Sequence, residues 1–130
     1  MNDIVGTWRL VRAESRDAEG RTLPAAYDGQ GMGRIVFGAD GRMAVMMIDW
    51  RHDMPAGEKR DYSGYCGLYQ FDGTTLTTHV DCAPDASRIG SDQPRGVRFD
   101  GAFMILRPPL RTVAGVVEQR ELTWERISAV

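Results

Sequence analysis

Gly33-Arg34-Ile35-Val36-Phe37-Gly38-Ala39-Asp40-Gly41-Arg42-Met43-Ala44-Val45-Met46-Met47-Ile48 is two apolar runs hinged on Asp40-Gly41. Asp-Gly is a strong hairpin signal, because glycine tolerates the positive φ that a type I′ turn demands. A two-residue turn there pairs Ala39 with Arg42, Phe37 with Ala44 and Ile35 with Met46. Side chains alternate along a strand. Ile35, Phe37, Ala44, Met46 and Ile48 therefore share the expected inner face, leaving Val36, Met43, Val45 and Met47 outside. The outer set is as apolar as the inner one. It predicts either a pairing face between two copies of the chain or a surface covered by the polar connection 15–33.

The same device recurs on both sides of this hairpin. Gly64–Phe71 turns at Asp72-Gly73 into Thr74–Cys82, and Gly96–Phe99 turns at Asp100-Gly101 into Phe103–Arg107. With the same turn type, Tyr69 faces Leu76, Gly67 faces Thr78 and Tyr65 faces Val80. This register puts Cys66 and Cys82 on opposite faces of neighbouring strands. Gly6–Glu14 opens the chain as a strand and Val116–Ile127 closes it, with Glu118, Arg120, Leu122, Trp124 and Arg126 inward. Polar connections fill 15–33, 51–63 and 83–94, and Pro108-Pro109 ends the third hairpin. No amphipathic helix of useful length interrupts the pattern. About eight strands at hairpin spacing predict an all-β fold, a single antiparallel up-and-down barrel, since closure removes the edges an open sheet must protect. At that strand number the interior is either filled by side chains or holds one small ligand.

Composition excludes several classes. The 130 residues suit one domain over 1–130, and 42% hydrophobic residues suffice for a packed core. A net charge of −2 argues against a dedicated nucleic-acid binder. No apolar run could span a bilayer, and residues 1–6 lack a signal-peptide pattern, so a cytoplasmic protein is expected. There the two cysteines would stay as free thiols rather than a disulfide. Nothing has the spacing of a metal site or a phosphate loop. No cofactor is expected.

Val5-Gly6-Thr7-Trp8-Arg9-Leu10-Val11 resembles the Gly-x-Trp signature that opens lipocalins, fatty-acid-binding proteins and their relatives. More narrowly, the chain is similar to the short, mostly bacterial lipocalin-like domain family. The similarity is carried by Gly33–Val36 with Ala39–Met43, by Tyr65–Gly73, by Thr77-Thr78-His79-Val80 and by Leu122–Ile127. It runs from residue 5 to residue 127. It implies a small barrel in which Trp8 plugs one end and Arg126, from the last strand, covers its ring. Some members of the family accompany secondary-metabolite biosynthesis. The family pattern often shows two adjacent histidines where this chain has Thr78-His79, so the inward histidine is replaced by threonine.

The candidate pocket residues are Phe37, Met46, Tyr65, Tyr69, Thr78, Phe99, Glu118 and Arg120. Tyr65 and Tyr69 flank Gly67 on one strand face, an arrangement that would set two phenols beside a gap; the alternative is a pair of plain core aromatics. An inward Arg120 demands a carboxylate, either Glu118 or one on a ligand, unless a bulge turns both residues to solvent. His52 and His79 fall on a loop and an outer face, where neither suits a catalytic base. Three functions follow. The barrel binds a small apolar or aromatic metabolite, with Tyr65, Tyr69, Thr78 and Arg120 orienting it. Alternatively, it is an isomerase, cyclase or hydratase of a polyketide- or terpenoid-like substrate, with tyrosine or arginine stabilising an oxyanion. Otherwise it is an interaction subunit with a filled interior.

Overall fold

Nine strands form among residues 3–129, which the computed structural model describes. They are β1 (Gly6–Arg16), β2 (Gly31–Phe37), β3 (Arg42–Asp49), β4 (Tyr62–Phe71), β5 (Thr75–Cys82), β6 (Asp92–Asp100), β7 (Phe103–Arg107), β8 (Arg111–Val113) and β9 (Val116–Ser128). Every pairing is antiparallel, each strand from β1 to β7 pairs with the next, and β7 pairs with β9. β9 then pairs with β1 from Thr7↔Ser128 to Arg16↔Gln119 and closes the ring. Eight strands make the barrel. The three-residue β8 pairs only with the first residues of β9 and extends beyond it. Its turn is Ala114-Gly115, both at positive φ, a type I′ geometry reached without the usual Asn or Asp.

The meander sorts the strand ends onto two rims. The start of β1 and the ends of β2, β4 and β6 meet at one rim, and that end is filled. Trp8, Phe37 and Met104 are buried there. Phe37 meets Tyr69 edge-on at 5.1 Å, and Phe71 meets Phe99 at 6.3 Å. The Trp8 indole N–H donates to the Ile4 carbonyl at 3.0 Å, and the Arg126 guanidinium lies 4.5 Å over the ring. Arg126 also donates to the Asp3 carbonyl, tying the incoming chain to the last strand. The connections 17–30, 50–61 and 83–91 and the β8 hairpin gather at the other rim.

Two expected registers are corrected. At Asp40-Gly41 the loop holds three residues, 39–41, with Gly41 at φ +87, and the strands pair as Phe37↔Met43 and Ile35↔Val45. That is a type I turn followed by a left-handed residue, the next most common hairpin loop. One extra residue reverses every side chain beyond it. Met43 is therefore buried, Val45 and Met47 are half-buried and pack on the core, and Met46 lies outside, 56% exposed. The outer stripe drawn from Val36, Met43, Val45 and Met47 does not exist. Only Val36 faces out.

At Asp72-Gly73 the pairing is Phe71↔Leu76 and Tyr69↔Thr78, two residues from the expected register. The turn is centred one residue later because the Asp72 carboxylate accepts from the Thr74 and Thr75 amides. A two-residue shift leaves the faces unchanged. Tyr65, Leu76, Thr78 and Val80 are buried as expected. Asp81 bulges out, so Cys66 pairs with Cys82 across the strands instead of lying on the opposite face. Both thiols are free; Cys66 is half-buried and Cys82 exposed. β6 begins at Asp92, so 92–94 are strand and not loop.

Candidate functional site

The end of the barrel opposite Trp8 is hollow. A cavity of about 330 Å³ opens among the 17–30, 50–61 and 83–91 connections. Its wall is apolar, with Ile35, Met43, Val45, Leu76, Leu122 and Trp124. Gly33 gives the Trp124 ring room, since a Cβ there would sit 3.1 Å from it. Toward the rim the lining turns polar, because it is built from strand ends and connections: Ser15, Tyr27, Asp61, Arg88, Arg111 and Glu118.

The rim is held by two charge clusters. The Asp49 carboxylate is fully buried and takes the Arg51 guanidinium side-on, at 3.0 Å from Nε and 2.7 Å from Nη2. Arg60 donates to the Asp49 and Arg51 carbonyls, fastening the 50–61 connection. Hydrogen bonds from Arg51 hold the Asp49 carboxyl below the usual range. In the second cluster Glu118 accepts from Ser15 Oγ at 2.8 Å and from Arg111 Nη2 at 3.2 Å. Burial alone would push its carboxyl up, but the bonds from Arg111 and Ser15 outweigh it and keep it low. Tyr27, at φ +55, leans on the mouth and donates to Asp61 Oδ2 at 2.5 Å. Burial first, then the Asp61 bond, pushes its phenol up to about 12.

Three further arginines reach the cavity from three elements: Arg88 from the 83–91 connection, Arg95 from β6 and Arg120 from β9. Arg88 lies 5.6 Å over the Tyr65 ring. Arg95 donates to the Pro94 carbonyl at 2.7 Å and to Gln93 at 3.5 Å, and burial lowers its pKa. Arg120 Nε is buried without a partner. Burial, then repulsion from Arg111 and Arg95, brings its pKa down to about 10.

The cavity unites Tyr65, Glu118 and Arg120 of the expected pocket residues. Phe37, Tyr69 and Phe99 pack at the filled end, where the Tyr69 hydroxyl donates to the Gly38 carbonyl at 2.8 Å. They do not line the cavity. Thr78 is fully buried with an unpartnered hydroxyl and lies outside the lining, and Met46 is on the outer surface. Gly67 does not floor a pocket either. The His79 backbone on β5 takes the space a side chain would fill. His52 is almost fully exposed, and His79 pairs with Asp92 at 2.9 Å on the outside. Arg88, Arg95 and Arg111 were missed because Arg88 fell in the 83–94 connection read as loop, Arg95 just before the strand read from Gly96, and Arg111 in an unrecognised strand. The signal available was Gln93-Pro94-Arg95-Gly96-Val97, whose alternation continues that of Val97 and Phe99 back to Arg95.

Among the described residues no group of three His, Cys, Asp or Glu could hold a metal ion, and no helix is long and apolar enough to cross a membrane. Residues 5–127 match the model of a family described as a lipocalin-like domain. No curated protein and no solved structure matches the chain.

Proposed function

The chain belongs to the lipocalin-like domain family, and on that premise we propose that it binds a small, largely apolar or aromatic molecule in the open half of its barrel. The observation that carries this reading is the contrast between the two ends. One end is sealed by aromatics packed edge-on, and the other keeps a cavity of about 330 Å³ with apolar walls and a polar mouth. Ligand pockets commonly span about 300–1,000 Å³, with apolar linings and few polar groups. A core that only needed stability would have closed over that space, because unfilled volume forfeits packing energy.

Acid–base catalysis has less support. Both histidines lie outside the barrel, and Glu118 is held ionised by Arg111 and Ser15. A general acid or base needs a pKa near the working pH.

The test uses the neutral dye N-phenyl-1-naphthylamine, whose fluorescence rises in apolar surroundings. Saturable one-site binding is expected, together with quenching of tryptophan emission as Trp124 is approached. Val45→Trp, which fills the lumen, should abolish the signal while circular dichroism stays native. Equal dye binding by the filled variant would overturn the reading.

A further inference from the structure

We propose that the ligand of this cavity is an amphipathic carboxylate whose head group is seated among Arg88, Arg95 and Arg120, with its apolar body against the barrel wall. The inference rests on the lumen-binding reading above and adds the chemistry of the head group.

The argument is one of charge balance. Four arginines line the cavity, against three carboxylates, those of Glu14, Asp61 and Glu118. All three carboxylates are engaged. Glu14 takes Arg12 at 3.0 Å, Asp61 takes the Tyr27 hydroxyl, and Glu118 takes Arg111 and Ser15. Arg88, Arg95 and Arg120 make no ion-pair contact with a carboxylate among the described side chains; Asp85 near Arg88 and the already engaged Glu118 near Arg120 act on them only at longer range. All three are half-buried, and they converge in a chain whose net charge is −2. The general field of the protein therefore does not explain them.

Cations withdrawn from water without counter-charge destabilise a fold, and their mutual repulsion adds to the cost. Such a cluster is relieved when an anion arrives. A guanidinium presents parallel donors that match a carboxylate, and Arg120 Nε is a buried donor with no acceptor. Arg88 is oriented by the Tyr65 ring, and Arg95 by the Pro94 carbonyl, so two of the three are positioned before a ligand binds. Directly below them Leu76, Leu122 and Trp124 offer apolar wall to the rest of the molecule.

The experiment displaces N-phenyl-1-naphthylamine with two molecules of equal chain length, decanoate and decan-1-ol, at neutral pH. Decanoate is expected to compete at least tenfold better. The preference should fall at least tenfold in R120M and in R95M, and R88Q provides a third variant should either of these fail to fold. Equal competition by the two molecules, or a preference that survives all three substitutions, would overturn the inference and leave the lumen reading standing. Failure of the dye and both competitors to bind would sink the lumen reading itself.

Discussion

Replacing Arg120 by methionine is expected to stabilise the empty protein. Burial strips water from the Arg120 guanidinium, and repulsion from Arg111, Arg95 and Arg88 outweighs the attraction of Glu118, so its pKa falls to about 10 from the ordinary 12.5. A cation with a depressed folded-state pKa is disfavoured in its charged form. At neutral pH, below that depressed value, the whole penalty is present. A fall of this size corresponds to roughly 3 kcal/mol. Arg120 is only half-buried, and solvent screening leaves about 1–2 kcal/mol. Methionine keeps an unbranched, adaptable stem and removes the charge, so a net gain of about 1 kcal/mol is expected. For a chain of this length that is a rise in Tm of about 3–5 °C. The assay is thermal unfolding followed by circular dichroism, with protein refolded from denaturant to remove any co-purified ligand. A bound anion would reverse the sign, which makes the stripping step essential. A Tm lowered by a similar amount would mean that Arg120 has a stabilising partner inside the protein, and the charge-balance reasoning would fail.

The register of the first hairpin is checked by two methionines three residues apart. Met43→Ala, in the core, should cost about 2–5 kcal/mol in urea unfolding, whereas Met46→Ala, on the surface, should stay within about 0.5 kcal/mol. Trp8→Ala should cost about 3–5 kcal/mol, because it empties the filled end and strips Arg126 of its ring, measured in the same way. Asp49 is held below the usual carboxylate range chiefly by Arg51. Its contribution is therefore present above that range and lost as pH falls through the depressed value. Wild type should unfold more steeply with acid than Asp49→Asn, and should be the more stable of the two at neutral pH.

The outline of the barrel was legible because strand number and closure depend on turn positions, and Asp-Gly marks those within a residue or two. What the sequence could not settle was parity. At Asp40-Gly41 a three-residue loop and a two-residue loop use the same dipeptide, yet they send Met43 and Met46 to opposite faces. Both faces of that hairpin are apolar, so the hydrophobic pattern that normally selects the register had nothing to choose between. At Asp72-Gly73 the error was two residues, and Tyr65 and Leu76 still fell inside, because an even shift preserves parity. The β8 hairpin escaped notice because Ala114-Gly115 supplies its positive φ angles without an Asn or Asp to announce them.

The site was legible only where its residues lie on strands whose alternation the sequence shows. Glu118, Arg120 and Tyr65 could be placed by alternation, but the alternation says nothing about which end of the barrel is filled. Tyr69 and Phe99 face inward as surely as Tyr65 does, yet they meet Phe37 and Phe71, respectively, edge-on at the sealed rim. Depth along the barrel depends on the stagger between strands, which closure imposes and local sequence does not encode. The same limit explains the arginines. Arg88, Arg95 and Arg120 are separated by up to 32 positions in the chain; alternation turns Arg120 inward, but Arg88 and Arg95 each read as an ordinary surface charge. Only closure brings three unmatched cations to one cavity, and that convergence is what turns a generic apolar pocket into one with a preferred ligand charge.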